Sequence, residues 1–314
     1  MVALGIVIDR KCNIRCGHCC FSSHPKANEH LTDEEILDIA KQGCELPNID
    51  TIALSGGEAL LRKSLVLKVL RMARDHGKRG TLVTNGFWGH NKKRAKETLV
   101  ELKEAGLRAM KISFDDFHQD LLKVEKVKNI LDANLSVRIP ISLNVAVSKD
   151  HMSDGILAAL GESLVGLKVT KFPIQRVGAA QQYGEECVIR RFHMEDDLRC
   201  PGFEPTYHFD GRVYPCCSPT VFTTNLSLGR TTDLPVVDAV GGIERNILFA
   251  TIRNKGFKWL FERCVEEGVL GEEYLEKSYV DACEMCQTLF SDPEVTQTVV
   301  SIISNELVMA SGRH

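Results

Sequence analysis

Short apolar, β-branched runs alternate with amphipathic helical segments through the first half of the chain, and this alternation most constrains the fold. The strand-like runs recur about every 30 residues, the length of a strand–helix–strand unit with parallel strands. They cover residues 4–8, 51–54, 81–83, 110–114, 137–147 and 168–174. Helical periodicity covers residues 33–43, 64–76, 92–105, 119–133 and 155–164. Six units are too few for a closed eight-stranded barrel, so the sequence predicts an α/β fold with an open, partial (β/α)6 barrel.

The alternation stops near Gly178. Beyond it the chain carries cysteines, short strand signals and one clear helical segment, which predict a second, smaller α+β domain. Near the C-terminus, apolar residues at helical intervals predict a helix that packs back on the barrel. The predicted regions are the barrel over residues 1–180, the smaller domain over 181–293 and the terminal helix over 294–314.

Length and composition limit the class of protein. The 314 residues, 44% of them hydrophobic, suffice for one large or two moderate domains. A net charge of −3 does not indicate the strongly basic surface that binding of nucleic acid requires. No apolar run approaches the roughly 18 residues of a membrane span, and the first residues lack the layout of a signal peptide. We therefore expect a cytoplasmic protein with no nucleic-acid partner and no membrane association.

Twelve cysteines are many for a cytoplasmic protein, where disulfides do not persist, and they indicate metal binding. Cys12, Cys16 and Cys19 form a CxxxCxxC loop after the first strand. A cubane iron–sulfur cluster takes four thiolates, one for each iron, so a loop with three leaves one iron open to a small molecule. A zinc site or buried structural thiols are the alternatives, although a zinc ribbon favours paired CxxC spacing.

A glycine-rich turn, Ser55-Gly56-Gly57-Glu58, follows the second predicted strand. The glycines allow the backbone to approach a ligand closely, and Glu58 can accept a hydrogen bond from an ammonium group. The alternative is a plain turn. The glycine-rich turn follows the strand that comes directly after the cysteine loop, and this position favours a ligand-binding function.

Polar residues also end the third and fourth strands, where a ligand at the carboxyl ends of the strands would lie. Thr84 and Asn85 end the third strand, and Ser113 and Asp115 end the fourth. The alternative is that they are turn residues that cap helices. Asn144 on the fifth strand is either a ligand contact or a satisfied core amide.

A second group of cysteines lies in the smaller domain: Cys200, Cys216, Cys283 and Cys286. Cys216 ends a Gx4C segment, and the last two form a CxxC pair. Four thiolates suit an iron–sulfur cluster or a structural zinc ion. The neighbouring Cys217 is a spare thiol, whose S–H bond is weak enough to give a hydrogen atom to a carbon radical.

The cysteine loop, the GGE turn and the polar strand ends together resemble radical S-adenosylmethionine enzymes over about residues 5–290. The resemblance implies a [4Fe-4S] cluster on Cys12, Cys16 and Cys19, whose open iron binds the methionyl end of S-adenosylmethionine. Ala59 stands where the family usually has proline after GGE. The further residues that it implies around the cofactor are His18 beside the nucleoside, Gly56, Gly57 and Glu58 at the methionyl amine, Thr84 and Asn85 in the pocket, Ser113 or Asp115 at the ribose, and Arg176 at the carboxylate.

The second cysteine group resembles the "twitch" subtype of the SPASM extension, which implies a second [4Fe-4S] cluster. The runs 16–23 and 214–219 look most like short radical enzymes that epimerise ribosomal peptides. That resemblance implies a 5′-deoxyadenosyl radical that removes an α-hydrogen, Cys217 as the thiol that returns one, and an electron donor such as flavodoxin or ferredoxin. A dehydrogenase or crosslinking enzyme, an epimerase of small molecules such as aminoglycosides, and an iron–sulfur electron carrier remain alternatives.

Overall fold

The computed structural model describes residues 2–311, and their side chains as far as residue 306. Met1 and residues 312–314 of the predicted terminal helix lie outside the described part. The strands are β1 (Val2–Val7), β2 (Ile49–Ser55), β3 (Arg79–Thr84), β4 (Leu107–Ser113), β5 (Ile141–Val147), β6 (Lys168–Pro173), β7 (Thr206–His208), β8 (Arg212–Tyr214) and β9 (Gly229–Arg230). They form one sheet in the order β6-β5-β4-β3-β2-β1-β7-β8-β9.

The first six strands lie side by side in chain order, each parallel to the next. β6 ends the sheet on this side, so the six strands form an open barrel, and the predicted α/β class with a partial (β/α)6 barrel is confirmed. The helices between them are α1 (Asp33–Glu45), α2 (Lys63–Asp75), α3 (Lys92–Ala105), α4 (Asp116–Gln119), α5 (Val124–Val137) and α6 (Asp154–Leu160). α1 begins with a capping box in which Thr32 and Glu35 satisfy each other's backbone N–H groups.

The two faces of the barrel strands differ in burial because side chains alternate along a strand. On β2, Ile52 and Leu54 are buried in the large core between the sheet and the helices. Ala53 and Ser55, on the opposite face, are only partly buried. The inner face is therefore lined by small and polar side chains, which leaves room for a cavity inside the open barrel.

The C-terminal part has a second hydrophobic core, built around Phe249, Phe257, Phe261 and Phe290. Burying each such side chain stabilises the fold by about 1.5–3 kcal/mol. Its strands nevertheless belong to the barrel sheet, since β7 pairs in parallel with β1 and continues into antiparallel β8 and β9. The division at residue 180 stays a prediction. The helices of this part are α7 (Val236–Arg245), α8 (Ile247–Asn254), α9 (Gly256–Glu266), α10 (Glu273–Glu276), α11 (Ala282–Phe290) and α12 (Pro293–Ser311).

The terminal helix α12 packs against α8, α9 and α11. Val299, Ile302 and Ile303 are buried in the second core, together with the phenylalanines of these helices. The prediction that this helix packs back on the barrel is wrong. Helical periodicity shows that one face of a helix is apolar, but it does not show which of two cores that face covers.

Two local boundaries also differ from the sequence prediction. The strand predicted from residue 137 begins at Ile141, because α5 runs to Val137 and Arg138 ends it in a left-handed conformation with φ of 60°. Asn134 stabilises this turn by two hydrogen bonds to the backbone of Ile139, at 2.8 and 2.9 Å. The sequence reasoning also missed α7 and α8, which precede the predicted helix at 255–267. That helix is α9.

None of the helices in residues 2–311 combines the length and apolar character that a membrane span requires.

The GGE turn is joined to the start of the cysteine loop by backbone hydrogen bonds. The Gly57 N–H donates to the Asp9 carbonyl at 2.8 Å, and the Glu58 N–H donates to the Lys11 carbonyl at 2.9 Å. A Cβ atom on Gly57 would lie 2.3 Å from the Lys11 carbonyl oxygen and 2.6 Å from that of Arg10. Only glycine therefore allows this close approach of the two backbones.

We expect Gly57→Ala to lower the free energy of unfolding by about 1–3 kcal/mol, because backbone atoms must move to admit the methyl group. Urea denaturation followed by circular dichroism measures this loss. Gly242→Ala is the matched control, since a Cβ there meets no atom within 4 Å, and its stability should be unchanged or slightly higher. Equal stabilities of the two variants would contradict the proposed backbone contact.

Candidate active site

A cavity of about 750 Å³ opens at the carboxyl ends of the barrel strands. Cys12, Cys16 and Cys19 of the loop after β1 are in its wall, and the first two are buried. Gly56 and Gly57 of the loop after β2 lie beside them. β1 and β2 are parallel neighbours, so the loops that leave their carboxyl ends lie side by side.

Glu58 is buried beneath this wall and is not in contact with the cavity. Its carboxylate accepts hydrogen bonds from the Thr84 hydroxyl at 2.9 Å, from the Asn85 N–H at 2.7 Å and from the Leu60 N–H at 3.0 Å. Burial raises the pKa of Glu58 to about 7, although these donors oppose the shift. Glu58 therefore joins the ends of β2 and β3, and its contact with an ammonium group stays a prediction.

Thr84 and Asn85 line the cavity, as the family resemblance implies, and both also have structural partners. Thr84 accepts hydrogen bonds from the Trp88 indole N–H at 3.2 Å and from the Gly86 N–H at 3.2 Å. The Asn85 side-chain amide donates to Asn13 Oδ1 at 3.0 Å and lies 3.6 Å from Cys12 Sγ. Asn85 thus holds the middle of the cysteine loop against β3.

At the end of β4, Ser113 and Asp115 line the cavity. The Asp115 carboxylate is buried and accepts hydrogen bonds from His118 Nδ1 at 2.7 Å, from the Phe117 N–H at 3.1 Å and from the Ala146 N–H at 3.1 Å. Burial opposes its ionisation, but His118 and these donors hold the pKa of Asp115 below its usual range. Because Asp115 already has these partners, Ser113 is the freer of the two for a ribose hydroxyl.

His118 is a site residue that the sequence reasoning missed. Burial alone would lower its pKa, but Asp115 raises the pKa of His118 to about 10. Its ring lies against Cys16 and His18, and the ligand atoms of the three residues are within 4.8 Å of one another. The only sequence signal was its position three residues after Asp115, the N-cap of α4, which brings the two side chains together at the start of the helix.

His18 lies between the cysteine loop and α4, where its ring stacks on Phe117 with centroids 4.6 Å apart. Burial lowers the pKa of His18 to about 4, so its ring is neutral at physiological pH. Its Nδ1 atom is buried without a hydrogen-bond partner in the described part of the chain. An aromatic, neutral ring with a free nitrogen in this wall fits the predicted contact with a nucleoside.

Arg176 lies outside the wall of the cavity. Its guanidinium forms an ion pair with Glu185 and donates to the Tyr183 carbonyl at 2.8 Å, in a separate polar pocket of about 340 Å³. This arrangement gives no support to the predicted contact with the carboxylate of S-adenosylmethionine. An arginine at a strand end usually forms an ion pair at the surface. The sequence alone does not distinguish such an arginine from one that binds the carboxylate of the cofactor.

The four cysteines of the second group, Cys200, Cys216, Cys283 and Cys286, meet in one small apolar cavity. Cys200 precedes β7, Cys216 follows β8, and the CxxC pair lies in the first turns of α11. Three of them also line the large cavity, which Cys286 does not reach. The two cysteine groups therefore flank a common space.

Cys217, next to Cys216, lies in the wall of the large cavity and is accessible from it. Its thiol donates a hydrogen bond to Glu204 Oε1 at 2.9 Å. The enclosing protein and this carboxylate raise the pKa of Cys217 to about 12, so the thiol is protonated at neutral pH. Glu204 was not predicted, because no sequence spacing connects it with Cys217.

The residues around the first cysteine group fit an iron–sulfur cluster. Burial raises the pKa of Cys12 to about 12, so its proton is released only when a metal centre replaces it. The three thiols pack with Ile14 in one cluster of the cavity wall, so they would leave one iron of a cubane without a protein ligand.

The family model of the radical SAM superfamily matches residues 6–136. The putative peptide biosynthesis protein YydG of Bacillus subtilis is 35% identical over 295 residues, which are 93% of this chain and 92% of YydG. A probable GTP 3′,8-cyclase of Methanocaldococcus jannaschii is 32% identical over 162 residues, and the match spans only 52% of that enzyme.

Among solved structures, native anSMEcpe with bound AdoMet and Cp18Cys peptide has the same fold. The TM-score is 0.57 at 16% sequence identity, over 96% of this chain and 99% of that one. The near full-length match to YydG and the family model agree with the geometry of the cavity, in which the CxxxCxxC loop and the GGE turn are side by side. This chain belongs to the radical SAM superfamily, and it is an enzyme of that superfamily.

Proposed function

We propose that the protein is a peptide epimerase that inverts an α-carbon by a radical mechanism. The observation that carries this proposal is that a protonated thiol, Cys217, lines the same cavity as the three-cysteine loop. Removal of a hydrogen atom from one face of the α-carbon leaves a carbon radical. The configuration is inverted when a hydrogen atom is returned to the opposite face. The near full-length relative YydG is named as a putative peptide biosynthesis protein, which supports a peptide substrate.

Cys12, Cys16 and Cys19 would hold the first [4Fe-4S] cluster and leave one iron for S-adenosylmethionine. When bound, these groups supply a 5′-deoxyadenosyl radical that removes a hydrogen atom from the substrate. The glycines of the GGE turn leave space for the methionyl end. Ser113 and the ring of His18 line the same cavity and are available for the ribose and the adenine.

Cys217 would complete the reaction. Its S–H bond breaks as a new C–H bond forms at the substrate carbon, which leaves a sulfur radical on Cys217. One electron and one proton restore the thiol, and the electron comes from a donor of the flavodoxin or ferredoxin class. The hydrogen bond to Glu204 holds the thiol in one orientation.

We also propose that Cys200, Cys216, Cys283 and Cys286 hold a second [4Fe-4S] cluster. Their convergence on one apolar cavity supports this assignment, since four thiolates match the four irons of a cubane. When bound, such a centre would supply one-electron transfer chemistry next to Cys217.

Turnover in heavy water tests the direction of hydrogen transfer. A thiol exchanges its proton with solvent, so we expect the epimerised peptide to carry one deuterium at the inverted carbon. Mass spectrometry after hydrolysis, with chiral chromatography of the amino acids, measures both label and inversion. An inverted product without deuterium would exclude a thiol donor, and a product lighter by two hydrogens would identify a dehydrogenase or crosslinking enzyme.

Cys217→Ala should form 5′-deoxyadenosine and lose the inverted product, because the radical still forms but receives no hydrogen atom. Chromatographic assay of both products measures this uncoupling. Cys20→Ala is the matched control, since Cys20 also follows a predicted ligand and lines the same cavity. Inversion should persist in the control. Inversion by the Cys217→Ala variant would refute the proposed donor.

The metal content of anaerobically reconstituted protein tests the second cluster. We expect about eight irons in the wild type and about four in Cys283→Ala/Cys286→Ala, since each cubane holds four. Cys187→Ala, which removes a thiol outside both groups, should keep the wild-type content. Zinc in the second group, or iron content unaffected by the double substitution, would contradict this assignment.

A further inference from the structure

The inner face of the barrel continues from the large cavity toward the amino ends of the strands. Side chains alternate along a strand, so Lys111 of β4 projects to the same face as Ser113, which lines the cavity. The register of the sheet places Lys111 beside Val83 of β3 and Ser142 of β5. Val83 also lines the cavity. Lys111 therefore lies on the inner face, next to the cavity wall.

Three basic residues share this inner face: Arg79 at the start of β3, Lys111 in the middle of β4 and Lys168 at the start of β6. Ser142 of β5 is paired with Lys111 on one side and with Lys168 on the other. The two lysines thus lie in one row, two strand spacings or about 9.6 Å apart. The strands β3, β4, β5 and β6 contain no aspartate or glutamate, so their inner face is positively charged.

The charges of these three side chains are not neutralised within the described part of the chain. All three are exposed, and none forms an ion pair or a side-chain hydrogen bond there. Lys171, on the outer face of β6, instead pairs with Asp154 at 2.5 Å. The acidic side chains of the cavity wall already have hydrogen-bond partners of their own, and these are Asp115, Glu204 and Asp281.

Neutral polar groups on the same face are also available to a ligand. Ser142 and Asn144 of β5 and Thr170 of β6 form no side-chain hydrogen bond with the described residues. An ammonium group offers only donors, so its ligand must supply acceptors. A carboxylate is the acceptor that a cation binds most strongly, because the hydrogen bond is then charge-assisted.

We propose that Lys111, flanked by Arg79 and Lys168, binds a carboxylate of the peptide substrate, which is either an acidic side chain or the C-terminal carboxylate. The inference rests on the proposed peptide substrate. The carboxylate of S-adenosylmethionine offers the same chemistry. We favour the peptide because the cysteine loop and the GGE turn, which would hold the cofactor, follow the carboxyl ends of β1 and β2, whereas the basic face extends over β3 to β6 toward their amino ends.

Lys111→Met is the decisive variant, because it removes the ammonium group and keeps a long side chain. Lys111→Arg keeps the positive charge and is the conservative variant. Lys68→Met is the matched control, since Lys68 is exposed on the outer helix α2 and has no ion pair in the described part of the chain. Lys168→Met gives a second measurement if Lys111→Met does not fold.

The probe is a set of synthetic peptides that covers the short open reading frames beside the gene. Each peptide is made unchanged, with a C-terminal amide, and with each Asp or Glu replaced by Asn or Gln. The Kd of each peptide is measured with the reconstituted holoenzyme, and inversion is assayed separately.

We expect Lys111→Met to raise the Kd of the unchanged peptide about tenfold, as loss of one charge-assisted hydrogen bond predicts. Lys111→Arg and Lys68→Met should bind it as the wild type does. One of the neutralised peptides should lose the same affinity for the wild type and lose no more with Lys111→Met, because the two changes remove one contact. That peptide identifies the carboxylate as a side chain or as the C-terminus.

Three results would overturn the inference. An unchanged Kd in Lys111→Met, or losses that multiply when the variant meets each neutralised peptide, shows that Lys111 contacts no peptide carboxylate. A loss of affinity for S-adenosylmethionine with an unchanged peptide Kd assigns Lys111 to the cofactor. If the wild-type enzyme binds none of the peptides, the proposed peptide substrate fails and the inference fails with it. A peptide that binds through Lys111 and is not inverted supports the inference and contradicts the proposed epimerase alone.

Discussion

The position of β1 between two parallel neighbours is the constraint on which the rest of the site depends. β1 pairs with β2 on one side and with β7 on the other. The loop that leaves β1 therefore lies beside the GGE turn after β2. It also lies beside the turn between β7 and β8, where Phe21 contacts His208 and Phe209. Both cysteine groups line the large cavity.

Two buried carboxylates, Glu58 and Asp115, and the half-buried carboxylate of Asp281 then fix the loops that this topology brings together. Glu58 joins the ends of β2 and β3, Asp115 joins the end of β4 to β5, and Asp281 joins the end of β6 to α11. Each accepts several N–H or O–H donors, which offsets the cost of removing a carboxylate from water. These acids preorganise a cavity whose walls would otherwise be independent loops.

The same cavity combines groups of different reactivity. On one side, burial raises the pKa of Cys12 to about 12, so this thiol releases its proton only when a metal centre replaces it. On the other, Cys217 keeps its proton and has access to the same space. Cys216 and Cys217 are adjacent in sequence but have different neighbours: Cys216 lies with the other three cysteines of its group in the small apolar cavity, whereas Cys217 donates to Glu204.

Local patterns were enough to predict the parallel barrel, the cysteine loop and the GGE turn. Hydrophobic periodicity, glycine conformational freedom and thiol spacing are all set by neighbours in the chain. Tertiary structure decided what those patterns do not encode. In the folded protein, α12 packs on the second core, and Arg176 forms an ion pair with Glu185. His118, Glu204 and Gln175 lie in the site. The physical reason is that such contacts join residues far apart in sequence, so packing and the satisfaction of buried polar groups select them only when the whole chain has folded.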